Sequence, residues 1–318
     1  MAMIAHIEAA GEHVRLLPPR TLAPGENVVA QGAQAHENDL LLPAGTVLKP
    51  AQIALAAACG YAALDVFVRP RVAILTTGDE LAPVESSPAP GQIRNSNAPM
   101  LAAMVAEAGG EPWVLPAAAD NAQSLDRALA EANEADLLLI SGGVSAGKFD
   151  LVEPALARAG ARFHFTGVCI QPGKPLVFGD LPRNNTTDKR LCGKARSLPF
   201  FGLPGNPISS AVTFMLFAAP MLAALAGSLE PGPRFALARQ AQGAQKHSKA
   251  GLTRFLPAYC TFSATAGQFP QVAAVSSHGS GDLAAFAHSN CFLIVPEITR
   301  HSASKSHEKD TVVRILLL

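Results

Sequence analysis

The feature that most constrains the fold is an alternation of short apolar runs with helical segments between residues 71 and 226. Apolar runs of strand length occur at 72–75, 112–118, 136–140, 162–165, 176–178 and 199–202, and helical spacing occurs at 97–108, 123–132, 151–159 and 207–226. Strands that alternate with helices are joined by right-handed crossovers, which cover both faces of a parallel sheet. We therefore expect an α/β domain over residues 70–227, with three αβα layers and a mainly parallel sheet.

The segments on either side of this domain are predicted to be rich in β-structure. Residues 1–69 contain many glycines and prolines, β-like pieces at 28–30 and 40–42, and one short helix at 51–59 that Pro50 introduces. After a linker at 230–234, β-like pieces recur at 255–262, 271–275, 291–295 and 311–317. We expect a partial N-terminal β-rich segment over 1–69 and a small C-terminal all-β domain over 228–318.

Charge and cysteine usage exclude several classes of function. The 25 basic residues balance 25 acidic ones, so the chain offers no broad attraction for nucleic acid or for an anionic membrane. Its five cysteines are scattered without metal-ligand spacing, which is typical of reduced thiols. No secretory leader is apparent, and the polar residues within 208–226 favour a buried helix over a membrane span. We expect a cytoplasmic protein with no nucleic acid and no membrane partner.

Four polar or glycine-rich loops directly follow predicted strands: TTGDE at 76–80, SGGVSAG at 141–147, QPGKP at 171–175 and LPGNP at 203–207. Ligands of open parallel sheets bind beyond the carboxyl ends of the strands, so the four loops should meet in one crevice. Gly142 and Gly143 would let backbone N–H groups approach an anion, and Pro207 suits the first position of a helix. One glycine pair after a strand is more often only a turn, but the four loops together predict a phosphate or oxyanion site.

Charged residues in these loops suggest a metal and an anion. Asp79, Glu80, Asp120 and Asp150 fall at or just beyond predicted strand ends, and such carboxylates suit Mg²⁺, which bridges them to substrate phosphates. For Asp120 and Asp150 the alternative is capping of the helix that follows, and the two roles can coexist. Lys174 either neutralises phosphate or molybdate oxygens or is a turn lysine on the surface. The basic loop at 182–197 is either solvated or a contact for an acidic partner.

At these loops the chain resembles the molybdopterin molybdenumtransferase family, which includes MoeA and the E domain of gephyrin. The matching text is VAILTTGDEL, GQIRNSNAPMLAAMVAEAGGE, DLLLISGGVSAGKFD, IQPGKPLVFG and FFGLPGNPISSAVTF, in family order over most of residues 71–216. Weaker similarity extends through GENVVAQ, LLPAGTVL, FLPA, SGDLAAFAHSN and VVRILLL. The resemblance implies a homodimeric enzyme that uses Mg²⁺, takes molybdate as substrate and converts adenylylated molybdopterin into molybdenum cofactor with release of AMP.

The resemblance also implies roles for individual residues. Glu80, Asp150 and Lys174 would be catalytic, and Glu80, Asp120 and Asp150 would hold the metal. The substrate-binding positions that it implies are Thr76, Thr77, Gly78, Asp79, Asn95, Ser96, Asn97, Ser141, Gly142, Gly143, Val144, Ser145, Pro204, Gly205, Asn206 and Pro207.

The chain departs from the family pattern in three places. An N-terminal stretch with blocks like DxSAMDGYA and MTGAP is missing, Gly32-Ala33-Gln34 replaces a GED sequence, and Gly167 and Gln171 replace lysines. Since the family's cleft is shared across a dimer, a complementing N-terminal chain or an adenylyltransferase is an expected partner. Two alternatives stay open. One is a catalytically impaired molybdopterin-binding or carrier protein, and the other is the related adenylyltransferase, against which the terminal β domain and TTGDEL argue.

Overall fold

The computed structural model describes residues 6–144, 151–183, 197–241, 251–261, 269–297 and 311–318, and the chain divides into two compact units, Met1–Ala63 and Leu64–Leu318. The strands are β1 (Ile7–Ala10), β2 (His13–Leu16), β3 (Arg71–Thr76), β4 (Leu81–Ala82), β5 (Ile93–Arg94), β6 (Glu111–Val114), β7 (Leu137–Ser141), β8 (Arg162–Phe165), β9 (Ile170–Gln171), β10 (Val177–Pro182), β11 (Ser197–Leu203), β12 (Phe235–Gln240), β13 (Thr253–Thr261), β14 (Gln271–Ala274), β15 (Cys291–Val295) and β16 (Val312–Leu317). The helices are α1 (Pro50–Ala58), α2 (Asn97–Glu107), α3 (Ala122–Ala132), α4 (Val152–Arg158), α5 (Pro207–Thr213), α6 (Ala219–Leu225) and α7 (Leu283–Ala287), with a π-helical segment (Phe214–Ala218) between α5 and α6.

The first unit holds a β-hairpin and one helix. β1 and β2 pair antiparallel, and α1 begins at Pro50, as predicted. The predicted β-like pieces at 28–30 and 40–42 are wrong, since neither is a strand. The Val28 N–H donates to Gly25 O in a turn, and Leu40 is 81% exposed, so neither piece has a sheet to join. β-branched residues form strands only where a partner strand and a packed face are available.

A six-stranded sheet forms the centre of the second unit, in the order β6-β3-β7-β11-β10-β8. Three of its five pairings are parallel, and β10 runs antiparallel to both β11 and β8. Leu75 of β3 lies in one core with Leu129 of α3 and Leu156 of α4, whereas Ile74 lies in the opposite core with Leu101 of α2. The strands are therefore covered on both faces, which confirms the three-layer α/β prediction.

The helix predicted over 207–226 is interrupted by the π-helical segment. Pro220 lies just after it and has no N–H to donate to a carbonyl one turn earlier, which accounts for the break in the regular ladder. By length and composition Pro207–Leu225 passes as a candidate membrane span, with a mean hydropathy of 1.9, but half of that window is buried. Phe214 and Leu222 pack in the core with Ile74 of β3.

The second sheet follows the order β14-β12-β16-β15-β13-β9, and β14 also pairs with β13. Five strands thereby close into a barrel around a core that includes Ala258, Val272 and Leu293. β9 joins this sheet in parallel, with Arg254 opposite Gln171. The C-terminal region is a β-barrel, which confirms the prediction of a β domain, and it also contains the short helix α7. The pairing of β9 attaches the barrel directly to the loops of the α/β layer.

Candidate functional site

One cleft of about 1120 Å³ lies where the four predicted loops meet the C-terminal barrel. It is lined by residues from the ends of β3, β7, β9 and β11, by the start of α2, and by two segments of the barrel. Among the described residues, all of the site residues expected from sequence line the cleft except Asp79. Ser145 and Asp150 lie outside the described residues, as do residues 184–196 of the basic loop.

The floor of the cleft is built around Asn97, the first residue of α2. Its Nδ2 donates to Ser141 Oγ at 2.9 Å and to Gly205 O at 2.6 Å. Ser141 ends β7 and is buried, and its hydroxyl lies 3.4 Å from that of Ser210 on α5. A single side-chain amide therefore ties together the ends of β7, β11 and α2.

The glycine pair after β7 is required by its surroundings. Gly142 has φ +96°, and a Cβ there would lie 2.7 Å from Thr77 O. Gly143 has φ +64°, and a Cβ there would lie 2.5 Å from Val152 Cγ2. The expectation that the Gly142 N–H faces an anion is wrong, because this group donates to Leu203 O at 3.2 Å. Gly142 serves close packing against β3 and β11 rather than ligand binding through its own N–H.

Carboxylates form one wall of the cleft. Glu80 and Asp120 both line it, and the Glu80 carboxylate folds over Gly78 so closely that a Cβ at Gly78 would lie 2.5 Å from Glu80 Oε2. Asp120 does not cap a helix, so the capping alternative is wrong for this residue: α3 is capped by Asn121, whose side chain accepts from Ser124 N at 2.9 Å. Among the described residues no group of three or more Asp, Glu, His or Cys gathers around a point.

Positive charge forms a second wall of the cleft, contributed by other elements. Lys174 and Arg254 line the cleft there, the first from the loop after β9 and the second from β13. Gly173 has φ +115°, and a Cβ at that position would lie 2.7 Å from Thr213 Cγ2, so the turn that presents Lys174 packs directly on α5. The cleft thus carries acidic groups beside β3 and basic groups beside β9. This arrangement suits an anionic ligand that binds together with a metal cation, since the carboxylates can hold the cation and the basic groups can hold the anion.

Sequence reasoning missed the contribution of the barrel. Arg254, Ser277 and Ser280 line the cleft. The Asn206 Nδ2 donates to Ser280 Oγ at 2.9 Å, and Ile208 N donates to Ser280 O at 3.0 Å, so this loop is fastened to the start of α5. The glycine- and serine-rich run after residue 275 was a visible signal for a functional loop.

Other polar residues considered from sequence lie away from the cleft. His164 contacts Asp180 at 2.7 Å on the neighbouring antiparallel strand. Cys260 and Cys291 are buried in the barrel, whereas Cys59 and Cys169 are exposed, and these four cysteines are free. Burial, with a smaller contribution from Cys260, raises the pKa of Cys291 to about 12, which makes it an unreactive thiol.

Two family models match the chain. Residues 73–224 match a probable molybdopterin binding domain, and residues 2–60 match the MoeA N-terminal region, domains I and II. The first match contains the loops that form the floor and the acidic wall of the cleft.

Curated relatives and solved structures agree with these matches. The molybdopterin molybdenumtransferase of Nostoc sp. is 34% identical over 286 residues, which cover 90% of this chain and 62% of the relative. The enzyme of the same name from Staphylococcus aureus is 31% identical over 87% of this chain and 62% of its own length. The crystal structure of the molybdopterin biosynthesis moeA protein from Pyrococcus horikoshii OT3 superposes with a TM-score of 0.70 at 26% identity, over 100% of this chain and 71% of that one. The chain spans about 62% of the length of the curated relatives.

Proposed function

The chain belongs to the molybdopterin molybdenumtransferase family, and we propose that it inserts molybdate into adenylylated molybdopterin with release of AMP, in the biosynthesis of the molybdenum cofactor. The observation that carries this proposal is the link from Asn97 to Ser141 and Gly205. Through it three of the family-like sequence blocks form the floor of one cleft, whose lining also includes carboxylates and cations.

The two substrates have parts that match the two walls. The phosphates of adenylylated molybdopterin and the molybdate oxyanion need donors and positive charge, which Lys174 supplies from the lining of the cleft. Loop 203–207 and the SGGVS loop form the cradle for the pterin and its phosphate in this proposal. Ser145 of that cradle lies outside the described residues.

A Mg²⁺ ion is part of the proposal. The Glu80 and Asp120 carboxylates provide the hard oxygen donors that this ion prefers, and both line the cleft, so the described donors fit it. Asp150 would be the third ligand. When bound, the ion would neutralise part of the charge on the substrate phosphates.

Catalysis by this site would rest on positioning and charge neutralisation. In this proposal a molybdate oxygen held beside Lys174 attacks the pterin-side phosphorus of the anhydride, and AMP leaves with the electron pair of the broken P–O bond. The two dithiolene thiols of the pterin then bind the molybdenum, displacing the phosphate oxygen, which stays on the pterin phosphate, and one oxide, which leaves as water with the two thiol protons. Lys174 stabilises the negative charge that develops on the transferring oxygens. The rigid floor at Asn97 keeps the reacting groups in line.

Assembly and location complete the proposal. We expect a homodimer in the cytoplasm, with the adenylyltransferase that supplies the substrate as a further partner.

The test is an assay of AMP release. Purified protein is incubated with adenylylated molybdopterin and Mg²⁺, with and without molybdate, beside Glu80→Gln and the matched control Glu85→Gln, whose exposed carboxylate lies outside the cleft lining. The proposal expects molybdate-dependent release that Glu80→Gln abolishes and Glu85→Gln retains. Tight pterin binding without AMP release would instead identify a carrier protein. The absence of both pterin binding and AMP release would refute the assignment for this chain.

A further inference from the structure

The floor of the cleft contains a buried acceptor that has no partner among the described residues. Asn97 Oδ1 is buried and accepts no hydrogen bond from them, while the Nδ2 of the same amide makes two. The orientation of an amide is assigned from its hydrogen-bond network, and here the network decides it. Gly205 O, at 2.6 Å, can only accept, so the NH₂ end must face it. The carbonyl end of Asn97 is therefore fixed in place without a donor.

Asn95 provides an internal comparison. It lines the same cleft two residues earlier, but both ends of its amide are used: Nδ2 donates to Thr76 Oγ1 at 2.8 Å, and Oδ1 accepts from Ala98 N at 3.1 Å. The side chain of Asn95 thus links β3 to α2 by hydrogen bonds. Asn97 is held only through its donor end, and its buried acceptor end has no partner among the described residues.

The unpaired acceptor restricts the chemistry of that ligand. A buried carbonyl oxygen without a donor costs about 1–3 kcal/mol, and native proteins leave few such groups. An oxyanion brings no hydrogen to this atom and is repelled by it, so a phosphate or molybdate does not satisfy it. A ligand with N–H or O–H groups does.

Thr77 is a second residue of the cleft lining with an unused polar atom. Its hydroxyl is buried, has no hydrogen-bond partner among the described residues, and lies beside Gly142 and Gly143 at the end of β7. A hydroxyl can donate as well as accept. A cyclic amide carries an N–H beside a C=O, and an acceptor such as Asn97 Oδ1 and a hydroxyl such as that of Thr77 are the kinds of group that bind these two functions.

We infer that Asn97 Oδ1 accepts a hydrogen bond from the N–H edge of the pterin ring and thereby selects the heterocycle, whereas the cationic wall holds the phosphates. The inference rests on the proposed function for the identity of the substrate. Asn97 also lies within the segment that matches a molybdopterin binding domain, which favours the pterin over the adenine as the donor.

The test compares the binding of two small ligands. Dissociation constants of the whole chain are measured by pterin fluorescence for 2-amino-4-oxopteridine and for an analogue methylated at both its N3 and its 2-amino nitrogen, in wild type, Asn97→Ala and the control Asn133→Ala, which lies at the end of α3 outside the cleft lining. Wild type should prefer the unmethylated pterin by about tenfold. Asn97→Ala should abolish the preference, and Asn133→Ala should keep it. If a substitution merely loosens the floor of the cleft, the affinities for both ligands fall alike. The ratio of the two dissociation constants therefore reports the hydrogen bond itself.

Three results would overturn the inference. A preference that persists in Asn97→Ala would show that another group recognises the pterin. If wild type still releases AMP in the assay above, this result leaves the proposed function unaffected. A preference for adenosine over N6-dimethyladenosine that only Asn97→Ala removes would assign the atom to the adenine. Failure of wild type to bind either pteridine would reject Asn97 as a pterin contact. Should Asn97→Ala not fold, Asn97→Ser, which also lacks the amide carbonyl, gives the same comparison.

Discussion

Asp79 and Asp120 each accept a hydrogen bond from the other's backbone: Asp120 N donates to Asp79 Oδ1 at 3.0 Å, and Asp79 N donates to Asp120 Oδ2 at 3.4 Å. The exchange joins the loop after β3 to the loop before α3, although 41 residues separate them. Asp79 does not line the cleft, whereas its neighbours Gly78 and Glu80 do. Its role is therefore to hold the acidic wall in place.

Replacement of Asp79 should affect the site more than the fold. Asp79→Ala removes the acceptor for Asp120 N, and because the pair is exposed we expect a loss of at most about 1 kcal/mol in the free energy of unfolding. The rate of AMP release should fall by more than this loss of stability explains, since Glu80 and Asp120 lose their relative position. Asp79→Asn keeps an acceptor oxygen and should retain most activity. Urea denaturation and the AMP assay measure the two effects, and equal activity in both variants would refute the positioning role.

The glycine pair after β7 should tolerate no side chain. Gly143→Ala places a Cβ 2.5 Å from Val152 Cγ2 in a residue with φ +64°, and Gly142→Ala places one 2.7 Å from Thr77 O. The left-handed backbone alone costs about 1–2 kcal/mol, and the overlap adds to it.

Gly205→Ala is the matched control for stability. Its added Cβ would meet only Gly142 Cα at 3.6 Å, an ordinary contact, and its φ is not positive. Thermal unfolding should place this variant within about 0.5 kcal/mol of wild type. A Gly205→Ala variant as unstable as Gly143→Ala would contradict the packing argument.

Much of the α/β domain could be predicted because its strands are buried on both faces. Residues 72–75 are all apolar for this reason, and the ends of parallel strands necessarily lie at one edge of the sheet. The meeting of the loops at 76–80, 141–144 and 203–207 followed from that rule alone.

Other features depended on information that local patterns do not contain. β9 has only two residues, and its pairing with Thr253 and Arg254 joins segments more than 80 positions apart. No hydrophobic periodicity in the sequence therefore predicts this strand. The cap of α3 was ambiguous because Asp120 and Asn121 both offer acceptors. The extended backbone of Asn121, with φ −143° and ψ 154°, decided in its favour.

The two buried thiols of the barrel should resist alkylation. Cys291 is fully buried and has a pKa of about 12, and burial also raises the pKa of Cys260, so neither forms appreciable thiolate at pH 8. Iodoacetamide at that pH should label the exposed Cys59 and Cys169 within minutes but leave Cys260 and Cys291 unmodified until the protein unfolds. Peptide mass spectrometry with and without urea makes the comparison. Rapid labelling of Cys291 in native protein would contradict the packed barrel core.

Asp282 should make the free energy of unfolding depend on pH in the acidic range. Its carboxylate accepts from Ala285 N and from His278 N, each at 3.0 Å, and these bonds, with the Ala285 bond the larger cause, lower its pKa below the ordinary 3.8. A lowered pKa in the folded state means that the charged group stabilises the protein fully above the unfolded-state pKa. The contribution is lost as pH falls through the folded-state pKa.

The same carboxylate organises the loop at 278–282, which brings Ser280 to the cleft, so its protonation should also weaken ligand binding. The variant Asp282→Asn keeps an acceptor but cannot carry the charge. Urea midpoints measured from pH 6 down to pH 2.5 should show wild type more stable than Asp282→Asn at the upper end, with the difference shrinking below pH 4. A constant difference across that range would mean that the charge of Asp282 does not stabilise the loop, and that the hydrogen bonds alone hold Ser280 in place.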